Sequence, residues 1–364
     1  MSEIPTPPPI VLLRATREEA AGAVLQVGGL RVIDRALRQL ARAQVPRVVI
    51  VTDGAIALPK WLPPTVEIRQ VANDGDLATR LLGLEAELGQ PLALRADVVR
   101  VRANNYDGGL RVVDEPSRVA AEDAIFNDLL RGDLGMVARH INKKISFWIT
   151  RRFLCHWPIT PNQVTLGAGV LGLLGCFLIA TGSQFAIVLG FLLAQFQSIL
   201  DGCDGELARV RFQQTAIGEW LDTIVDDVLN LTLVAAVGFG LSRHGGSDND
   251  IWLALGACAM LLTYNTIAYR ELVKQGEGCE VLKVRWWFAR GTTFKEMTGS
   301  SGSLFSWINI IGKRDFFVFA WMILAILDQL PIVLFYAFIL AVAYGGAALG
   351  QLFVRAPRQP PATL

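Results

Sequence analysis

Six long apolar runs in the second half of the chain constrain its fold more than any other feature. They lie at about 162–181, 184–203, 218–241, 251–272, 313–328 and 331–353. A bilayer core takes roughly 20 residues of helix to cross, and the runs are close to that length except for the fifth, which is short. The sequence therefore predicts an α-helical integral membrane protein with six transmembrane helices.

Acidic residues interrupt this apolar pattern in one stretch, residues 201–226, which reads DGCDGELARVRFQQTAIGEWLDTIVD. Its four aspartates, Asp201, Asp204, Asp222 and Asp226, fall at the edges of two apolar runs. A carboxylate at membrane depth costs roughly 2.5–3.5 kcal/mol on insertion scales, and such residues mark functional sites by default. We expect Glu206 and Glu219 to be solvated. Asp227 points about 100° away from Asp226, so we expect it either to support the site from behind its ligands or to lie at the surface.

The spacing of these aspartates predicts one shared site. Asp201 and Asp204 are three residues apart, and Asp222 and Asp226 are four apart, so each pair lies on one face of a helix. Capping or solvated acids at loop edges would not need this joint spacing. Four carboxylates gathered in a low-dielectric place require cations. Oxygen ligands favour a hard ion, Mg²⁺ first, with Mn²⁺ or Ca²⁺ as alternatives.

Glycine and arginine residues in the same stretch suggest a diphosphate ligand. Gly205 and Gly218 leave bare backbone beside the acids, and Arg209 is a forked donor suited to phosphate oxygens, although it could also simply neutralise the acids. The complete pattern, D-x-x-D-G-x-x-A-R-x8-G-x-x-x-D-x-x-x-D, closely resembles the signature of the CDP-alcohol phosphotransferase family of membrane enzymes. All eight positions match.

This resemblance implies an activity, the transfer of a phospho-alcohol from a CDP-alcohol donor to an acceptor hydroxyl with release of CMP. It implies that two Mg²⁺ ions, or Mn²⁺, are held by Asp201, Asp204, Asp222 and Asp226, with Asp226 also the catalytic general base. The donor would be bound by Asp204, Gly205, Ala208, Arg209 and Gly218. Members of the family are commonly homodimers, which we expect here.

Basic residues near the predicted site are candidates for binding the acceptor. Arg270 ends the fourth run, and Lys313 and Arg314 open the fifth. A basic pocket beside the metal ions would suit a phosphorylated acceptor such as inositol phosphate. The equal alternative is that these residues are ordinary anchoring charges on the cytoplasmic side.

An ion-coupled transporter is the remote alternative to an enzyme, since acids at membrane depth also form ion or proton paths. The spans show no repeated half, and transport does not need glycine and arginine residues at fixed offsets. The sequence therefore favours the enzyme.

The N-terminal residues 1–130 predict a soluble α/β domain. Runs such as VLLRA and VPRVVIVTD read as buried parallel strands, and PLALRAD as a third. Between the first two, apolar residues recur at helical spacing, with Arg35, Arg38 and Arg42 expected to face solvent. The rhythm of strand and helix indicates a doubly wound sheet.

The segment GGLRVIDRALRQLARAQVPRVVIVTD also resembles the early part of sugar-phosphate nucleotidyltransferases, which some members of the phosphotransferase family carry fused ahead of the membrane domain. Those enzymes have a glycine-rich loop with a following Arg and Lys, where this chain has RATREEAAGAV. Asp97 alone corresponds to a metal-binding aspartate. We therefore expect the domain to be degenerate and non-catalytic.

Residues 131–158 combine basic side chains with large apolar ones and predict an amphipathic helix at the membrane interface, ahead of a membrane domain at 159–356. The basic residues are Arg139, Lys143, Lys144, Arg151 and Arg152. Lysine and arginine are also concentrated in the connections 201–217 and 273–315. By the positive-inside rule, the acidic site and the N-terminal domain face the cytoplasm of a multi-pass protein in the inner membrane.

The alcohols themselves are not determined by the motif. The nucleotidyltransferase-like first domain favours the fused branch of the family, in which a CDP-inositol-like donor reacts with inositol phosphate. A phospholipid synthase that uses CDP-diacylglycerol, similar to phosphatidylinositol-phosphate synthases, is the close alternative. The formal net charge of +1 gives no reason to expect a nucleic-acid partner.

Overall fold

The computed structural model describes residues 8–71, 77–89, 91–100, 109–130, 135–275, 284, 286, 287 and 310–353. The chain forms two compact units. The first combines residues 1–132 with the short segments 151–157 and 207–213. The second holds residues 133–150, 158–206 and 214–364.

The first unit is an α/β domain around a four-stranded parallel sheet of order β5-β4-β1-β6. Its elements are β1 (Ile10–Ala15), α1 (Arg17–Ala23), β2 (Gln26–Val27), β3 (Leu30–Arg31), α2 (Val32–Arg42), β4 (Arg47–Thr52), β5 (Val66–Gln70), α3 (Leu77–Glu87), β6 (Leu92–Arg95), β7 (Val98–Val99), β8 (Leu110–Arg111) and α4 (Glu115–Leu129). The predicted parallel α/β domain is thus confirmed.

Alternate residues of the strands face two different hydrophobic layers, as a doubly wound sheet requires. Leu13 and Ile50, register partners on β1 and β4, pack in the layer that contains α2. Leu12 and Val49, the neighbouring pair, pack in the layer that contains Leu81 of α3. Both faces are therefore buried, which explains why these strands read as continuous apolar runs.

Arg35 departs from the prediction, because it is only 2% exposed rather than solvated. Its Nη2 donates to the backbone oxygens of Val27 at 2.9 Å and of Val210 at 2.8 Å. Burial lowers the pKa of Arg35 to about 10. The helical spacing of α2 identified its apolar residues but gave no sign that segment 207–213 covers this arginine.

The second unit is built from long helices. They are α6 (Pro161–Ala180), α7 (Gln184–Arg211), α8 (Ala216–Arg243), α9 (Asp248–Gln275), α10 (Arg314–Ile326) and α11 (Leu330–Phe353). Within the described residues, five of them are long and apolar enough to cross a membrane, α10 being the exception. The chain is therefore a multi-pass membrane protein. The predicted span at 313–328 forms a helix of 13 residues, about 20 Å long, which is shorter than a bilayer core of ~30 Å.

Of the segment predicted as an amphipathic helix, residues 131–134 lie outside the described residues, and the part that follows is helical with two wider π turns. It comprises Ala138–Asn142, then α5 (Lys143–Ile149), then Thr150–Leu154. Ile145 and Trp148 are exposed, whereas Lys143 is 8% exposed. Lys143 was predicted on the basic face, yet its ammonium group pairs with the buried carboxylate of Glu206. The basic and apolar pattern of this segment could not reveal a buried partner 63 residues away in sequence.

Close packing between α6 and α7 depends on glycine. A Cβ atom at Gly190 would lie 2.5 Å from the backbone oxygen of Gly175 and 2.6 Å from Cγ1 of Ile179. Helices approach this closely in membranes where small residues meet. Gly167, on the same helix as Gly175, faces open space instead.

We therefore expect Gly190→Val to separate α6 from α7, at a cost of about 1–3 kcal/mol from overpacking. The melting temperature of the detergent-purified protein would fall clearly. Gly167→Val is the matched control and should change it little. Equal melting temperatures for the two variants would contradict the close contact.

Candidate active site

The acidic stretch forms the end of α7 and the beginning of α8. Helix α7 runs without a break through Asp201 and Asp204 to Arg211. A short connection follows, and α8 begins after Thr215, whose Oγ1 accepts a hydrogen bond of 3.0 Å from the amide of Gly218. This cap sets the start of the helix that carries Asp222 and Asp226, so each predicted pair lies along one helix face.

Three of the four predicted aspartates come together. Carboxylate oxygens of Asp201, Asp222 and Asp226 all lie within 4.8 Å of one another, and each residue is half-buried. The group therefore joins one side chain of α7 to two of α8. Carboxylate oxygens are donors that hard divalent cations prefer.

Asp204 lies outside this group. It is 5% exposed, and its Oδ2 accepts a hydrogen bond from Oγ1 of Thr165 on α6. Its Oδ1 is also in contact with the amide of Gly205. The spacing of three residues put Asp204 near Asp201 along the helix, but the neighbouring threonine decides where its carboxylate points.

Arg314, predicted to bind the acceptor, contacts the aspartates directly. Its Nη1 bonds to Oδ1 of Asp226 and lies 3.9 Å from Oδ1 of Asp201. Its Nη2 donates to Oε1 of Gln197 at 2.7 Å. The guanidinium thus contacts two of the three carboxylates, and the group brings three carboxylates together around one cationic side chain. The donor set and this excess of carboxylates both fit a divalent cation.

The remaining predicted residues occupy different surroundings. Arg209, in the last turn of α7, is exposed, and Ala208 is half-buried. A Cβ atom at Gly218 would lie 2.9 Å from Oδ1 of Asn162, so this position has little room for a side chain. Arg270 is exposed near the end of α9 and does not line the cavity that borders Arg314.

A cavity of about 320 Å³ borders Arg314 inside the second unit, and the three grouped aspartates are not among its lining residues. Asp227, Lys313 and Arg314 contribute charged groups to its lining, and Asn230 and Asn265 contribute amides. The rest of the wall is apolar and aromatic: Leu231, Val234, Leu261, Tyr264, Trp286, Gly312, Phe317, Trp321, Ala337, Leu340, Tyr344 and Ala347. The cavity thus combines a few polar groups with a mostly apolar wall.

Two acids in this region show how far the sequence could place a side chain. Asp227 was expected behind the site or at the surface, and it lines the cavity and accepts a hydrogen bond from the hydroxyl of Tyr269. Glu206 was expected in solvent, but it is 0% exposed. Helical periodicity gives the angle between side chains of one helix, and it does not say which faces other helices will cover.

Comparison with known proteins identifies this architecture. The family model of CDP-alcohol phosphatidyltransferases matches residues 158–344, just over half of the chain. The matched residues include the acidic group, Arg314 and α6 to α10. The chain belongs to the CDP-alcohol phosphatidyltransferase family.

Curated relatives of this family member share one name, "Bifunctional IPC transferase and DIPP synthase". The protein from Aquifex aeolicus is 26% identical over 193 residues, which cover 53% of this chain and 38% of the relative. Its counterpart from Archaeoglobus fulgidus is 35% identical over 150 residues, covering 40% and 29%. That from Rubrobacter xylanophilus is 38% identical over 129 residues, covering 35% and 29%. The matches thus span about a third of the relatives' length.

Membership in the CDP-alcohol phosphatidyltransferase family agrees with the chemistry of the acidic group. The family uses divalent metal ions, and Asp201, Asp222 and Asp226 form a cluster that can hold one.

The hydrogen bond from Thr165 to the buried carboxylate of Asp204 can be tested by mutation. We expect Thr165→Val to lower the free energy of unfolding by about 1–3 kcal/mol, since a buried acceptor loses a donor and the shape hardly changes. The measurement is the melting temperature in detergent. Thr266→Val, which removes a hydroxyl from the exposed face of α9, is the control. A Thr165→Val protein as stable as this control would contradict the assigned contact.

Proposed function

We propose that the protein transfers a phospho-alcohol from a CDP-alcohol donor to the hydroxyl of an acceptor, forming a phosphodiester and releasing CMP. The observation that supports this most is the grouping of Asp201, Asp222 and Asp226 within 4.8 Å, inside the region that matches the family. An ion-coupled transporter would need neither the family motif nor a CDP-donor site.

Divalent cations, proposed to be two Mg²⁺ with Mn²⁺ as a substitute, would be held by Asp201, Asp222 and Asp226, with Asp204 at the edge of the site. Such cations neutralise the charge that develops on a diphosphate and its leaving group. The oxygen-only donor set supports the choice of a hard ion. Since the carboxylates outnumber the guanidinium of Arg314, bound cations would also relieve their mutual repulsion.

Asp226 is proposed as the general base that takes the proton of the acceptor hydroxyl as this oxygen attacks the phosphorus atom. For the donor, we propose contacts with Asp204, Gly205, Ala208, Arg209 and Gly218. Gly205 and Gly218 would let the backbone approach the CMP portion, and Arg209 would pair with phosphate oxygens.

The acceptor is proposed to be a phosphorylated polyol such as inositol phosphate. Lys313 and Arg314 line the cavity and offer cationic groups for a phosphate, and Asp227 and Asn265 offer partners for hydroxyls. Arg270 is kept as a weaker candidate because it does not line this space. The shared name of the relatives agrees with the resemblance to the fused inositol-phosphate branch.

A lipid substrate is the second candidate, and one observation favours it. Most of the cavity wall is apolar or aromatic, which suits a hydrocarbon chain better than a polyol. In this alternative, the protein would use CDP-diacylglycerol and make a phospholipid. The choice of donor therefore needs an experiment with both classes.

The test is CMP release by the purified protein in detergent, with CDP-inositol or CDP-diacylglycerol as donor and inositol phosphate, inositol or glycerol phosphate as acceptor. We expect release with Mg²⁺ and none with EDTA.

Asp226→Asn should lower the rate of CMP release about 10²–10⁴-fold while the donor still binds in calorimetry. Asp248→Asn, an exposed carboxylate of α9, is the control. Undiminished turnover in Asp226→Asn would contradict its role as general base. Ion uptake into vesicles without CMP release would favour the transporter.

The first unit is proposed to be non-catalytic. In a doubly wound sheet, ligands bind where the strand order reverses, which here is between the ends of β1 and β6. There Asp97 is 1% exposed and accepts hydrogen bonds from Arg95 at 3.0 Å and Arg111 at 2.9 Å. Glu19 is also buried and accepts one from the amide of Thr16 at 3.0 Å. Both carboxylates are thus engaged by the domain itself.

We therefore expect no pyrophosphate when the full chain is incubated with CTP, Mg²⁺ and inositol phosphate. A competent cytidylyltransferase in the same assay is the positive control. Clear release of pyrophosphate would refute the proposal, because the chain would then make its own CDP-donor.

The position of the site relative to the membrane, and the oligomeric state, are also proposals. The exposed Ile145 and Trp148 beside the basic Lys144 support a position of segment 131–158 on anionic headgroups. The distribution of lysine and arginine supports a cytoplasmic active site and N-terminal domain, in the inner membrane. A homodimer is proposed by analogy with the family.

A further inference from the structure

Glu206 is a fully buried carboxylate that the proposed chemistry does not use. It is 0% exposed and follows Asp204 by two residues on α7. At about 100° per residue, its side chain points roughly 140° away from that of Asp201. Glu206 therefore belongs to a different face of the helix from the one that carries the first aspartate of the site.

Three side chains of the preceding segment converge on Glu206. Lys143 Nζ lies 2.7 Å from Oε1, Ser146 Oγ donates to Oε1 at 2.5 Å, and Thr150 Oγ1 donates to Oε2 at 2.8 Å. All three are less than 9% exposed. A buried carboxylate bonded to one cation and two hydroxyls is well compensated, and it holds the two elements in one register.

The beginning of the same segment is attached to α10. The amide of Ala138 donates to Oδ2 of Asp315 at 2.7 Å. A Cβ atom at Gly135 would lie 2.2 Å from that oxygen, so this glycine permits the approach. Asp315 directly follows Arg314, the residue whose guanidinium contacts Asp226.

We propose that Glu206 and Asp315 are positioning residues, which act through segment 135–150 to hold α7 and α10 in the orientation that gathers the aspartates and Arg314. Neither residue lines the cavity that borders Arg314. The inference rests on the proposed phosphotransfer, since it concerns the geometry of that same site. It predicts that loosening either attachment changes the rate and the binding of metal ions more than the binding of the donor.

Glu206→Gln is the first test, with Mn²⁺ as the probe. We expect kcat for CMP release to fall and the Kd for Mn²⁺, measured by electron paramagnetic resonance, to rise, each about tenfold or more, as when the outer partners of metal ligands are removed. The KM for the donor should stay within about twofold, because the partners that position a ligand set act on the rate rather than on the donor contacts. Glu67→Gln, which breaks an exposed ion pair with Arg47, is the control and should change none of these.

Should Glu206→Gln fail to fold, Ser146→Ala/Thr150→Val provides the milder variant, since the pair of Lys143 and Glu206 remains. As in Glu206→Gln, kcat should fall and the Kd for Mn²⁺ should rise.

At the other attachment, Asp315→Ala should lower kcat, and Asp315→Asn should restore it because an amide oxygen still accepts from Ala138. A folded variant at either attachment with wild-type kcat and Mn²⁺ affinity would overturn the proposal.

The two proposals fail separately. A wild-type protein that releases no CMP would contradict the proposed function, whereas a raised Kd for Mn²⁺ in the folded Glu206 variant would still support its positioning role. An active wild type whose Mn²⁺ affinity and kcat do not respond to loosening would contradict the positioning role alone.

Discussion

The accumulation of negative charge between α7 and α8 is the constraint on which the rest of the membrane unit depends. Asp201, Asp222 and Asp226 lie together, and the guanidinium of Arg314 reaches two of them, Asp201 and Asp226, from the beginning of α10. Charges at this depth are costly unless they are compensated, so the helices must stay in the orientation that keeps these groups together. The short α10 positions Arg314 at the carboxylates, and it does not need to span the bilayer to do so.

The sequence was sufficient for features that depend on local spacing. The apolar runs located the long helices, and the interval of four residues put Asp222 and Asp226 on one face of α8. The sequence was insufficient for predicting the burial of side chains that face another element. Glu206 and Arg35 were both expected at the surface, yet both are buried. Periodicity measures angles around one helix, whereas burial depends on contacts with residues far away in sequence.

The α/β unit illustrates why a fold does not establish an activity. Its parallel sheet has the order that would support nucleotide binding, and the crevice between β1 and β6 is at the expected place. Arg95 and Arg111 pair with Asp97 there, and a Cβ atom on Gly22 would lie 1.6 Å from the backbone oxygen of Val112. These ion pairs and this close packing at the strand ends support the proposal that the domain is non-catalytic.

Two acids on α7, Glu206 and Asp201, differ in how fully neighbouring groups balance their negative charge. Glu206 is matched by an ammonium group and two hydroxyls, which leaves its carboxylate with little attraction for an added cation. Asp201, five residues earlier, lies in a group of three carboxylates around the single guanidinium of Arg314. Helix position alone would not separate the two residues. The balance between each carboxylate and its partners supports a positioning role for Glu206, and it supports the proposal that the group containing Asp201 binds cations.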